Sequence, residues 1–144
     1  VIHVGLNDWI GPWVAHRTGG KWYGQGETIG ITSANGILCG GVIVENYNGT
    51  SASMHVAGEG RWLNREFLFV VFDYVFRQLD LKVVMGFVAS TNNKARRFDE
   101  HLGFKEVARI PDAAPGGDLI VYAMKKQDCR YWRKHGKSIG TAAT

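Results

Sequence analysis

Between Leu63 and Leu79 the apolar residues Leu63, Phe67, Leu68, Val70, Val71, Tyr74, Val75 and Leu79 recur at three- and four-residue intervals. That spacing gathers them on one stripe of a helix. Phe69, Phe72 and Phe76 widen the stripe, leaving Glu66, Asp73, Arg77 and Asp80 for the opposite side. A helix this apolar is largely buried and needs an extended surface to lie on. The segments around it supply one. Thr28–Thr32, Ile37–Glu45 and Ser51–Ala57 change to period two and read as strands, with Asn35-Gly36 and Asn46-Tyr47-Asn48-Gly49 as their turns. Lys82–Ala89 is dense in β-branched and apolar residues, as a buried central strand should be. An antiparallel meander followed by a strand–helix–strand crossover predicts one mixed sheet flanked by helices, because the crossover makes its two strands parallel.

The remaining elements fit that frame. Asn7-Asp8 is expected to cap a short helix carrying Trp9, Ile10, Trp13 and Val14, which must stop by Gly19-Gly20. Asn64 is expected to cap the long helix. Asn92–Leu102 reads as a second, shorter helix closed by Gly103. Phe104–Ile110 and Asp118–Lys125 read as two last strands joined by the turn-rich Pro111–Gly117.

At 144 residues, 45% hydrophobic and 21% charged, the chain fits one compact globular domain with a real core. No run of eighteen apolar residues exists, and Phe67–Phe76 is too short for a membrane span and contains Asp73. The start, Val1-Ile2-His3-Val4-Gly5, has neither a basic segment nor an apolar stretch of the kind found in secretory leaders. Cys39 and Cys129 have no metal-ligand or redox-motif spacing, so two free thiols and a cytoplasmic location are expected, with no metal site. The net charge of +4 is unevenly placed. After Met124 six basic residues face one acidic one, a net +5, so Val1–Met124 carries −1. Residues 1–132 are thus read as one domain and 133–144 as a basic, flexible tail. Such a tail can attract nucleic acid or another acidic partner.

The element order, together with the segment from Ser90 to Phe104, resembles the GNAT acetyltransferase superfamily. Asn92, Ala95, Leu102, Gly103 and Phe104 match the family's N-x-x-A word and closing L-G-F at the family's spacing. Asp118–Met124 followed by Asp128-Cys129-Arg130 is similar to the closing strand of ribosomal-protein-type and phage-encoded members, and Arg61–Phe76 to their long helix. The resemblance covers roughly residues 26–132. It implies a GNAT fold of mixed α+β architecture, with a central twisted sheet of about six to seven strands. In that fold the fourth strand splays from the fifth. These are Ser51–Ala57 and Lys82–Ala89 if a short first strand lies in the N-terminal segment. The co-substrate implied is acetyl-CoA. Its pantetheine arm would be received like another strand by backbone such as that of Val56 and Ala57. Its pyrophosphate would rest at the start of the long helix, on Arg61, Trp62, Leu63, Asn64 and Arg65. Gly58-Glu59-Gly60-Arg61-Trp62-Leu63-Asn64-Arg65 departs from the family's glycine-rich phosphate loop, and Arg61 and Arg65 are candidates to replace it with charge-assisted contacts. Asn92 is expected to hold the pantetheine, to cap its helix, or both. Lys94 and Arg97 would suit phosphate, or simply face solvent.

The resemblance implies transfer of an acetyl group to a primary amine of a small molecule or protein. That chemistry needs the amine deprotonated and the leaving thiolate protonated. His55, on the presumed fourth strand, is the first candidate base, because histidine suits proton abstraction near neutrality. Glu45 or Glu59, acting through a water, is the alternative. Family members commonly use a tyrosine four residues after the Ala95 position as the acid. That position is Asp99 here, and an aspartate is ordinarily ionised and a poor acid unless desolvated. Tyr122 on the last strand, or a bound water, is the expected substitute. Trp9, Trp13, Trp22 and Tyr23 would line the acceptor pocket or cover the sheet. That pocket is expected either to be open or to be completed by a second subunit, with a homodimer preferred. Two further readings stand beside the enzyme: a catalytically silent binding module, and a nucleic-acid-directed modifier anchored by Lys125–Lys137 with Tyr131 and Trp132 interleaved.

Overall fold

The computed structural model describes residues 1–132; the expected basic tail, 133–144, lies outside the described residues. One seven-stranded sheet runs through the molecule in the order β1-β2-β3-β4-β5-β7-β6. β1 (Ile2–Val4) is the short strand required in the N-terminal segment, and it pairs antiparallel with β2 (Glu27–Thr32). β3 (Leu38–Glu45) and β4 (Ser51–Gly58) continue the meander. Gly36 at φ 77° and Asn46 at φ 57° turn the two hairpins in the left-handed region that glycine and asparagine tolerate. After the crossover, β5 (Val83–Ala89) lies parallel to β4, and β7 (Gly117–Lys125) and β6 (Lys105–Ala114) close the sheet antiparallel.

The alternation of side chains along the strands sorts the core into two faces. On one face, helix α2 (Arg65–Asp73) buries Phe67, Leu68, Val71 and Phe72 against Val42, Val44, Ala52, Met54, Val84 and Ile120. Helix α3 (Asn93–Leu102) adds Leu102 to the same cluster. On the other face, helix α1 (Asn7–Thr18) packs Ile10, Val14 and Ala15 on Leu38 and Ile43. It lies so close that a Cβ at Gly41 would meet Val14 Cγ2 at 2.7 Å.

Three local expectations are corrected. Asn7 does not cap α1. The backbone N–H and hydroxyl of Thr28 donate to its Oδ1 at 3.0 and 2.8 Å, tying the helix start to β2. The long helix does not stay α-helical to Leu79. After Asp73 it widens into a π turn (Tyr74–Gln78), whose extra residue keeps Val75 and Phe76 buried beside Phe72. Pro111–Gly117 is not all turn, because β6 continues through Pro111 to Ala114. Pro111 lacks an N–H to donate, and an edge strand with an irregular register between Ile110 and Ala114 does not require one.

The other caps fall where expected. Asn64 Oδ1 accepts from Phe67 N–H at 2.7 Å, Asn92 Oδ1 accepts from Ala95 N–H at 3.1 Å, and Gly103 ends α3 at φ 113°. Asn64→Ala is expected to cost about 0.5–2 kcal/mol, since it leaves a helix-start N–H without its partner. A urea denaturation midpoint unchanged from wild type would contradict this.

Candidate active site

β4 and β5 are hydrogen-bonded only from Ser51↔Val83 to Ser53↔Met85. Beyond that point they separate. Each remains fully paired on its outer side, β4 with β3 and β5 with β7. The inner edges of Met54–Gly58 and Gly86–Ala89 therefore have no ladder partner across the gap. A cavity of about 710 Å³ occupies the wedge. Its walls are those two strand edges, the C-terminal end of α1 at Arg17 and Thr18, Trp62 ahead of α2, and the facing side of α3. Trp62 lies flat over Gly40 and Gly58, where any Cβ would overlap its indole ring, and it reaches Phe98 of α3 at 6.0 Å between ring centroids. One aromatic ring thus spans from β3 and β4 to α3 at the open end of the wedge.

Two groups with acid–base chemistry flank the apex. His55, the second β4 residue past the last β4–β5 pair, is opposite Ile43 and so belongs to the α1 face. Its Nε2 lies 2.6 Å from Glu45 Oε1, and both side chains are about one-third exposed. A carboxylate can only accept, so the short contact assigns the proton to Nε2 and leaves Nδ1 as the ring's acceptor. Asp99 stands on the other face. Its Oδ2 is 3.4 Å from the position a Cβ would take at Gly86, the first β5 residue past the last pair. Burial, helped by the neighbouring Glu100, pushes the Asp99 carboxyl up to about 7.

The residues singled out from the sequence divide clearly. His55, Val56, Ala57, Trp62, Asn92, Lys94 and Arg97 line the cavity. Glu45 is reached through His55. The expected cradle at the start of α2 is not part of the wall: Arg61 and Arg65 are exposed outside it, Leu63 packs on the core and Asn64 caps the helix. Tyr122 is fully buried beside α3, where Arg96 Nε donates to its hydroxyl at 3.4 Å, and it does not reach the cavity. Tyr131 and Trp132, read as bases' stacking partners in a nucleic-acid anchor, are stacked on Phe72 and edge-on to Phe76, and Lys126 pairs with Asp80 at 2.6 Å. Glu59, the other alternative base, is bound by Arg17 at 2.6 Å. Sequence reasoning missed Arg17 and Thr18, since nothing in α1's own sequence says which end meets the wedge. Neither cysteine is in a disulfide; Cys129 is buried and Cys39 partly so. Among the described residues no helix is long and apolar enough to cross a membrane.

No protein-family model matches the chain, and no curated protein sequence matches it. Solved structures do. A mutant form of the spermidine N-acetyltransferase SpeG from Vibrio cholerae superposes with a TM-score of 0.65 at 21% identity, over 78% of this chain and 72% of that one. The same enzyme in a dodecameric structure gives 0.62 at 21% identity, over 73% and 67%. A GNAT-family acetyltransferase from Bacillus anthracis gives 0.58 at 17% identity, over 69% and 66%. With its seven-stranded mixed sheet, parallel β4–β5 crossover and flanking helices, the chain has the fold of the GNAT acetyltransferases.

Proposed function

We propose that residues 1–132 form an N-acyltransferase domain that moves an acetyl group from acetyl-CoA to a primary amine of a small molecule or protein. The observation that carries this reading is the wedge: two central strands part after Ser53 and Met85 around a cavity of about 710 Å³. A strand edge without a partner offers alternating N–H and C=O groups, which suit an extended amide-bearing arm such as pantetheine. Val56 and Ala57 present that edge. Asn92 spends its Oδ1 on the helix cap and keeps its amide N–H groups to donate. Lys94 and Arg97 line the cavity, exposed and without an acidic partner among the described residues, and supply positive charge for phosphate. The residues present thus fit the co-substrate, with the phosphate-directed charge on α3 in place of Arg61–Arg65.

Acetyl-CoA supplies the activated acyl group. This chain's part is to align the two reactants and to manage protons. His55 Nδ1 accepts the proton of the attacking amine, while Glu45 holds the imidazole in the required tautomer and stabilises its charged form. A primary-amine acceptor is further supported by the neighbours named as spermidine N-acetyltransferases. A cytoplasmic location, a homodimer and kinship with ribosomal-protein-type or phage-encoded members belong to the same reading. Nucleic-acid binding is left to the tail at 133–144, because Tyr131 and Trp132 are engaged elsewhere.

Acetyl-CoA at a hundred times its Kd should stabilise the protein by about 2.7 kcal/mol, raising its thermal midpoint by roughly 5–10 °C. Thiol release should follow when amines are added. A midpoint that does not move with millimolar acetyl-CoA, with no thiol released, would leave a binding module in the enzyme's place.

A further inference from the structure

We propose that the acceptor is a monoamine on an apolar body, whose alkyl or aryl part lies on the uncovered face of β5, β7 and β6. This names the substrate class of the acetyl-transfer site and rests on that reading.

The attacking amine must come to His55, and His55 fixes the side of approach. It is two residues past the last β4–β5 pair, on the α1 face. Phe87 is two residues past the same pair on β5. Val84 and Val88 belong to the core on the α2 face, so alternation along β5 turns Phe87 to the α1 face. His55 and Phe87 thus stand level with each other on the two sides of the gap. Phe87 lines the cavity and is 43% exposed.

Phe87 is also the near edge of a larger apolar surface. α1 packs on β2, β3 and β4, while α2 and α3 cover the other face. Among the described residues the β5–β7–β6 part of the α1 face therefore has no helix over it. Its side chains are apolar row by row. Phe87 is opposite Val121 of β7, and Val121 is opposite Ala108 of β6. One row nearer the open end of the wedge, Ala89 is opposite Leu119, and Leu119 is opposite Ile110. Two inter-strand spacings, about 10 Å, separate β5 from β6, which is the reach of an extended octyl chain. A chain laid across them starts at the attacking nitrogen and loses water along its length.

Charge selects against a second amine. The carboxylates on this side of the site are already engaged, Glu45 by His55 and Glu59 by Arg17, each at 2.6 Å. Asp99, the other carboxyl of the cavity, stands on the α3 face. A distal ammonium crossing the apolar rows meets the exposed Lys105 instead, which is opposite Ala123 on the same face. That is one row from Ala108, about 7 Å along the strand. Desolvating an unpaired ammonium beside it is unfavourable.

The test is thiol release from acetyl-CoA with propylamine, hexylamine and octylamine, which are nearly equal in basicity, and with hexamethylenediamine and spermidine. kcat/KM should rise about two- to fourfold per added methylene. Hexylamine should exceed hexamethylenediamine by about tenfold or more. Val121→Glu places a carboxylate in the middle of the face and should bring the octylamine-to-propylamine ratio close to one. Phe87→Ala should lower the same ratio, and it serves if Val121→Glu does not fold. With CoA present, octylamine should shift the methyl carbon-13 resonances of Leu119 and Val121, and propylamine should shift them less. Rates that do not change with chain length overturn the proposal and leave acetyl transfer standing. Spermidine or hexamethylenediamine turned over as fast as hexylamine does the same. So does a dimer, seen by light scattering, that Val121→Glu dissociates, because a second copy then covers the face. Wild-type protein that releases no thiol with any amine overturns the acetyl-transfer reading, and this proposal with it.

Discussion

His55→Gln should reduce acetyl transfer by about 10²- to 10⁴-fold, the range that a positioned general base contributes. Glutamine keeps much of the side chain's size and a donor for Glu45, but it cannot accept a proton. The loss should therefore fall on kcat, with the acetyl-CoA thermal shift intact. Glu45→Gln is the companion change. It replaces a carboxylate acceptor 2.6 Å from Nε2 with an amide and withdraws the charge that supports the imidazolium. It should lower kcat less than His55→Gln does. Rate should also return in His55→Gln as pH rises, because more of the amine then arrives already deprotonated. A His55→Gln enzyme with unchanged turnover between pH 6 and 8 would place the base elsewhere in the cavity.

Phe72→Ala should cost about 3–5 kcal/mol, a large share of the 5–15 kcal/mol that holds a domain of this size together. Phe72 is fully buried, and its ring is stacked with Phe76 at 6.1 Å and with Tyr131 at 5.9 Å between centroids. Rings held in a stack close poorly over a missing member, so most of the cavity would persist. The nearby π turn adds to this, since its backbone is already committed to burying Val75 and Phe76. Val107→Ala, on the exposed edge strand β6, serves as the control and should change stability by no more than about 0.5 kcal/mol. Urea denaturation measures both. A Phe72→Ala loss below about 1.5 kcal/mol would mean that the aromatic stack reorganises to fill the space.

Much of the architecture was legible because it depends on short-range rules. Period two in the meander, Asn-Gly at its first turn, the apolar stripe of Leu63–Leu79 and the Asn92 and Gly103 caps all act within a few residues. Each element that was given bounds fell within two residues of them, except where β6 ran on and α2 changed pitch, while β1 was expected without a place. Those two exceptions are settled by packing. Pro111 ordinarily ends a strand, but an edge position excuses it. The helix after Asp73 accepts an extra residue per turn because that keeps its aromatic side chains in the core. Asn7 shows the same limit at a single side chain: an asparagine before a helix ordinarily caps it, but Thr28 was close enough to claim its oxygen.

The site divided along the same line. His55, Asn92, Lys94 and Arg97 could be placed near the cleft from element order and family resemblance. The partnership of His55 with Glu45 could not, because it joins residues ten apart across a hairpin whose exact register decides whether they meet. The resemblance marked the place of Asp99, and its ordinary chemistry argued against it. Burial beside Gly86 pushes that carboxyl up to about 7, and no count of residues along the chain reports burial of a single carboxyl.

By itself the amino-acid order determined the elements, their sequence and the parallel crossover, since these follow from periodicity, turn geometry and chain connectivity. Only the tertiary structure decided how far β4 and β5 stay paired, which helix ends face the gap between them, and which titratable groups lose water there. The physical reason is range. Backbone preferences act over neighbouring residues, whereas solvation and close contact at the wedge depend on groups brought together from α1, β4, β5 and α3.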